Sequence, residues 1–164
     1  VTAAADTATE VSMARKVILV PTDFSTASDA AVPHAETLAR QSGAELLILH
    51  VEEPPLAYGT GELYYGLPEP NSELIGRMLD AVKPADPAVA CRHRLAMGDP
   101  AGEILKVAAE EEAEMIVMGT HGRTGLFRAL MGSVAEAVVR RAPCPVLVYR
   151  VEAEKPAAAR SLHL

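Results

Sequence analysis

Short apolar runs rich in β-branched residues recur along this chain, and segments with helical spacing separate them. Lys16–Val20 (KVILV) is apolar without alternation, the pattern of a strand covered on both faces. Ala44–Val51, the more polar Cys91–Ala96, Met115–Met118 and Val146–Tyr149 repeat the theme. The intervening segments predict helices over Ala27–Ser42, over Ser72–Val82, from the Asp99-Pro100 start to about Glu112, and over Ser133–Arg141. Ser25 or Thr26 caps the first, and Gly43 suits its C′ position. Pro33 removes a backbone donor inside that helix and predicts a kink. A β-α-β-α-β-α-β-α-β order predicts an α/β fold: a doubly wound parallel sheet with helices on both faces and right-handed crossovers. The polar character of Cys91–Ala96 predicts an edge strand.

The core must be assembled from small residues. Of 164 residues 49% are hydrophobic but only 4% aromatic, so Ala, Val and Leu do most of the packing. One domain is expected over residues 15–150. Residues 1–14 and 151–164 are Ala-rich and unpatterned, and are expected to be a poorly ordered extension and a flexible tail; Met13 could be the natural start. The formal net charge of −7 argues against phosphate-led nucleic-acid binding, although a local nest of amides can still hold a small anion. No apolar run approaches the ~20 residues that span a bilayer, and no secretory pattern is present, which gives a cytoplasmic location by default. Cys91 and Cys144 match no metal spacing and read as two buried thiols.

In open α/β sheets ligands bind beyond the carboxyl ends of the strands, where the strand order reverses. The segments to inspect there are Pro21-Thr22-Asp23, His50-Val51, Gly98-Asp99-Pro100 and Gly119–Gly125. The last stands out, with three glycines in seven residues that let the backbone approach a ligand. After Gly119-x-x-Gly122 come nine residues and then Gly132-Ser133 at the start of a helix, where free amides and the positive dipole end favour phosphate. His121, Arg123 and Arg128 add donors. A plainer reading stands beside this one: Gly119 ends a strand, Gly132 relaxes a loop, and Ser133-x-x-Glu136 is a capping box serving the helix alone.

Met118–Gly125, followed by Gly132-Ser133-Val134-Ala135 and Ala142-Pro143-Cys144-Pro145-Val146, resembles the universal stress protein family, as do Asp23-Phe24-Ser25 and Gly98-Asp99-Pro100. The likeness covers about residues 15 to 150. It implies a five-stranded sheet of order 3-2-1-4-5 and, for members carrying the full glycine pattern, ATP binding. Pro21, Thr22 and Asp23 would then lie near the adenosine, and Val51 would meet the adenine edge with backbone groups. Met118 and Gly119 would border the ribose. His121, Gly122 and Arg123 would line the phosphate path, and Gly132, Ser133 and Val134 would hold phosphates. The resemblance also implies a homodimer through Val146–Tyr149.

The functional expectation is an ATP-binding regulatory protein of the stress response, with Mg²⁺ carried on the phosphates. The alternative is a slow ATP-hydrolysing or phosphate-transferring enzyme of the same fold. Against it stand the lack of a Gly-x-x-x-x-Gly-Lys-Ser/Thr loop and of a base beside a nucleophile, so no catalytic residue and no protein-held metal are assigned. Tyr58, Tyr64 and Tyr65 form either a lid or a cover for a neighbouring subunit. His50 is given packing or bonding within the fold and no chemical role. Under the implied strand order Cys91 and Cys144 sit near opposite edges, too far apart for a disulfide.

Overall fold

A computed structural model describes residues 15–54, 72–120 and 131–150. The expected terminal extensions, the Tyr58/Tyr64/Tyr65 cluster and the loop residues His121, Gly122, Arg123 and Arg128 lie outside these. The elements are β1 (Val17–Pro21), α1 (Thr26–Ser42), β2 (Glu45–Glu52), α2 (Ser72–Ala81), β3 (Cys91–Met97), α3 (Pro100–Glu110), β4 (Met115–Gly119), α4 (Ser133–Arg141) and β5 (Val146–Tyr149). The strands form one five-stranded sheet of order β3-β2-β1-β4-β5. All four pairings are parallel. The strand order therefore reverses between β1 and β4, and β3 is an edge as its polarity predicts.

Two apolar layers sandwich the sheet. On one face Leu19, Leu47, Leu49, Ile116 and Met118 pack under α3 and α4, through Ile104, Val107, Ala135 and Val138. On the other, Ile18, Val20, Leu46, Ile48 and Val117 pack against α1 through Ala31, Val32, Ala35 and Ala39, and against Leu79 of α2. Every β1 residue is buried, which is why Lys16–Val20 reads as unbroken apolar sequence. The alanines of α1 let the helix lie close over the sheet, as expected of a core short of aromatics.

Ser25 is the N-cap of α1, its hydroxyl accepting from Ser28 N, and Gly43 ends the helix at φ 70°. Pro33 does not end α1; it lies on the exposed face, where a missing amide costs least. Asp99 caps α3 by accepting from Gly102 N at 2.7 Å.

Two sequence readings need correction. The cysteines are free, but both are only partly buried. Cys91 opens the edge strand β3 and Cys144 precedes the edge strand β5, so neither has cover on all sides. Burial still pushes both thiols above their ordinary pKa, and the Glu45 carboxylate adds to the rise at Cys91. The capping box at α4 does not form. Gly132 is the N-cap, so Ser133 is the first helical residue. The Glu136 side chain turns instead to Arg140 at 2.9 Å.

Candidate functional site at the carboxyl ends of the central strands

β1 leaves the sheet through Thr22-Asp23-Phe24 and enters α1 at Thr26. Thr22 N donates to Leu49 O at 2.8 Å, the last rung joining this segment to β2. The Thr22 hydroxyl accepts from Phe24 N at 3.1 Å and lies 3.2 Å from Ser28 Oγ. Asp23 Oδ1 accepts from Ser25 N at 3.1 Å and from Ser25 Oγ at 2.6 Å, an Asx turn that also positions the α1 cap. Phe24 takes φ 62°, one of two non-glycine residues with positive φ among those described.

Next to this turn, β2 runs on to Glu52. Glu45 N bonds Lys16 O and Leu49 O accepts from Thr22 N, so these odd-numbered residues turn their backbone groups toward β1. Leu46 N and Glu52 O bond on the β3 side instead. By this alternation Val51 aims its amide and carbonyl toward β1, one step past the point where β1 has turned away. The segment thus carries a backbone donor and acceptor at the open end of the sheet.

On the other side of β1, β4 ends at Gly119. A Cβ on this glycine would stand 2.6 Å from Ala27 O and 2.7 Å from Ala27 C, so α1's first turn occupies the space a side chain would need. Gly119 therefore has a packing role at the end of its strand, as the plainer sequence reading holds. Thr120 follows, buried, its N–H donating to Tyr149 O at 2.9 Å. Its carbonyl accepts from Gly132 N at 2.7 Å.

That last bond brings the two halves of the glycine pattern together. Gly119-Thr120 and Gly132-Ser133, separated by eleven intervening residues 121–131, are neighbours at the reversal point of the sheet. Gly132 has no side chain to cap α4, and the first helical bond runs from Glu136 N to Gly132 O. Ser133 is exposed at the helix start and Val134 is partly buried. A pattern of this kind, across the whole 14–150 stretch, matches the family model described as the universal stress protein family. The chain belongs to the universal stress protein family. It is 38% identical over 146 residues to universal stress protein MJ0531 of Methanocaldococcus jannaschii, covering 82% of each chain. Among solved structures, the universal stress protein UspA of Lactobacillus plantarum aligns at TM-score 0.63 and 30% identity, over 84% of this chain and 99% of that one. A universal stress protein solved in complex with cAMP aligns at TM-score 0.61 and 27% identity, over 85% and 99%.

Of the sequence-predicted site residues in this universal stress protein, the fold gathers Pro21, Thr22, Asp23, Val51, Met118, Gly119, Gly132, Ser133 and Val134 at one end of the sheet. His121, Gly122 and Arg123 lie outside the described residues. The sequence reading missed one participant in this end of the fold, Ser28, and its reading of His50 as packing or bonding within the fold is met. Ser28 joins the Thr22–Ser25 hydrogen-bond cluster, and His50 Nδ1 reaches Thr22 O at 2.8 Å. Nothing but the Ser25-x-x-Ser28 spacing at a helix start could have flagged Ser28. Among the described residues no three His, Cys, Asp or Glu side chains group to hold a metal. No described helix is long and apolar enough to cross a membrane.

Proposed function

We propose that this chain binds an adenine nucleotide, ATP with Mg²⁺ on its phosphates, and acts as a regulatory protein through nucleotide occupancy. The observation that carries this is the Thr120–Gly132 clasp. It sets the α4 start, whose N-cap Gly132 has no side chain to take the first amides, beside Gly119 at the strand-order reversal, where a phosphate chain is favoured. Asp23 offers a carboxylate suited to ribose hydroxyls, and the Val51 backbone offers a donor and acceptor suited to the adenine edge. A family member solved with cAMP supports the adenine preference. The Mg²⁺ would keep its waters and lean on the phosphates.

Calorimetry with ATP and GTP tests the reading. ATP is expected to bind and GTP to bind at least tenfold more weakly, by about 1.4 kcal/mol. Gly132→Val is expected to remove ATP binding while the melting curve stays close to wild type, because a branched side chain would crowd the phosphate against the helix start. Wild-type affinity in that variant would show that α4 does not cradle phosphate.

We further propose a homodimer through β5. This strand is an edge, it contains neither Lys nor Pro, and Leu147 is 40% exposed on it. Antiparallel pairing across a two-fold axis would satisfy its outer backbone groups. Light scattering of wild type and Val148→Pro decides this: the variant should shift toward monomer, and a wild type that is monomeric at high micromolar concentration would refute it.

A further inference from the structure

We infer that His50 is a positioning residue for the nucleotide site: a single imidazole holds both residues that flank Asp23, Thr22 through its carbonyl and Phe24 through its ring. The inference rests on the reading of this end of the sheet as the nucleotide site. His50 is 5% exposed on β2, one residue beyond Leu49. Its Nδ1 lies 2.8 Å from Thr22 O. A carbonyl can only accept, so Nδ1 carries the proton, and in the neutral ring Nε2 is left as the acceptor.

On the other side of Asp23, Phe24 holds φ 62°, a conformation that is costly for a bulky aromatic and persists only where the surroundings enforce it. Two contacts enforce it here. The Phe24 ring centroid is 4.3 Å from that of His50 at an interplanar angle of 33°. The Phe24 amide donates to the Thr22 hydroxyl at 3.1 Å. Both lead back to the same place, because Thr22 is itself pinned by His50. The left-handed turn at Phe24 sets the direction in which Asp23 leaves the sheet, and Ser25 then grips Asp23 Oδ1 at 2.6 Å.

Removing the imidazole would leave the buried Thr22 carbonyl without its side-chain donor and let Phe24 relax to an ordinary φ. Asp23 would turn with it. A histidine that merely filled space would be replaceable by leucine without consequence for Asp23. A histidine that positions needs its donor, and asparagine presents an amide N–H close to where Nδ1 stands.

The experiment measures ATP affinity by calorimetry, well below the melting temperature, for wild type, His50→Leu and His50→Asn. Backbone amide NMR of the nucleotide-free proteins is recorded alongside. His50→Leu is expected to weaken ATP about tenfold and to shift the Asp23, Phe24 and Ser25 resonances, while His50→Asn recovers affinity to within about threefold. A folded His50→Leu with wild-type affinity and unmoved resonances overturns the inference and leaves the proposed function standing. If wild type binds no adenine nucleotide the proposed function fails, and the resonances of the turn still judge whether His50 holds it. Should His50→Leu not fold, Phe24→Ala, at a partly buried position, takes its place. It removes only the ring contact and is expected to weaken ATP by about threefold, and unchanged binding with unmoved turn resonances overturns the inference.

Discussion

At the amino end of the sheet, Glu45 is 4% exposed and is held by Arg15 Nε at 3.0 Å and Arg92 Nε at 2.7 Å. Arg92 also bonds Glu111 Oε2 at 2.5 Å, and Arg94 reaches Glu111 at 3.2 Å and Glu110 at 2.6 Å. Glu110 and Glu111 stand at the C-terminal end of α3, where the dipole disfavours carboxylates, and the arginines of β3 offset that. At the carboxyl end there is little such pairing among the described residues. Thr22, Ser25, Ser28 and His50 join in hydrogen bonds, Phe24 holds a left-handed φ, and α4 begins at a glycine N-cap. Charge pairing therefore concentrates at the amino end, while the carboxyl end, proposed to take the nucleotide, is held together by hydrogen bonds of hydroxyl, imidazole and backbone groups. A cavity of about 260 Å³ at the amino end, lined by Arg15, Arg40, Gly43 and Glu45, illustrates the point. Its arginines already face Glu45 and Asp86, which leaves little attraction for an anion.

The largest expected effect that would break this contrast comes from shape alone. Gly119→Val places a side chain 2.6 Å from a backbone oxygen of α1, which cannot move aside as a flexible side chain could. Overpacking against fixed backbone should cost about 3 kcal/mol of stability, read by urea denaturation. A variant as stable as wild type would mean that α1 does not lie this close to β4.

A somewhat smaller effect is expected at the other end. Glu45→Gln keeps the volume but removes the charge between two guanidinium groups, and should cost about 2 kcal/mol in the same assay. ATP affinity should stay within about twofold of wild type, since a site at the far end of the sheet shares no partner with Glu45. A tenfold loss of affinity in that variant would tie the two ends together and end the contrast.

These two positions also show how much could be read without coordinates. The strands were legible because a sheet covered on both faces needs unbroken apolar runs, and the helix starts at Ser25 and Asp99 follow from their side-chain chemistry. Their ends moved by a residue or two, since the last residues of a strand are set by neighbours in the sheet: β1 extends to Pro21, which pairs with Leu49 of β2. The glycine pattern was legible as a spacing, but its closure by Thr120 and Gly132 was not, because a carbonyl and an amide are the same in every residue. Gly119 carried a signal for ligand approach while its structural demand comes from Ala27, ninety-two positions earlier. Ser133 and Glu136 matched a capping box that Gly132 pre-empts by one residue. His50 reads from sequence as packing or bonding within the fold, but its partners, the Thr22 carbonyl and the Phe24 ring, become visible only once β1 and β2 are side by side.

The smallest expected effect is the pH dependence of the amino-end lattice. Glu111 sits below its ordinary carboxylate pKa chiefly because the Arg92 side chain hydrogen-bonds it, with the nearby charges of Arg92 and Arg94 adding to this against partial burial. A carboxyl group whose pKa is lowered by folding binds protons less readily in the native state than in the unfolded chain. Stability from this group is therefore fully present above the ordinary glutamate value of 4.5, and is lost as pH falls from there through the lowered native value. Glu111→Gln removes the contribution at every pH. It should cost about 1 kcal/mol at pH 7, because its arginine partners are about a third exposed and solvent screens the pair. The gap between wild type and variant should hold steady down to about pH 5 and then narrow as the wild-type carboxyl protonates. Urea midpoints measured across pH 3 to 7 would show this, with ATP binding at pH 7 unchanged in the variant. A gap that stays constant to pH 3 would mean that the charge on Glu111 does not stabilise the fold and that its effect is packing alone.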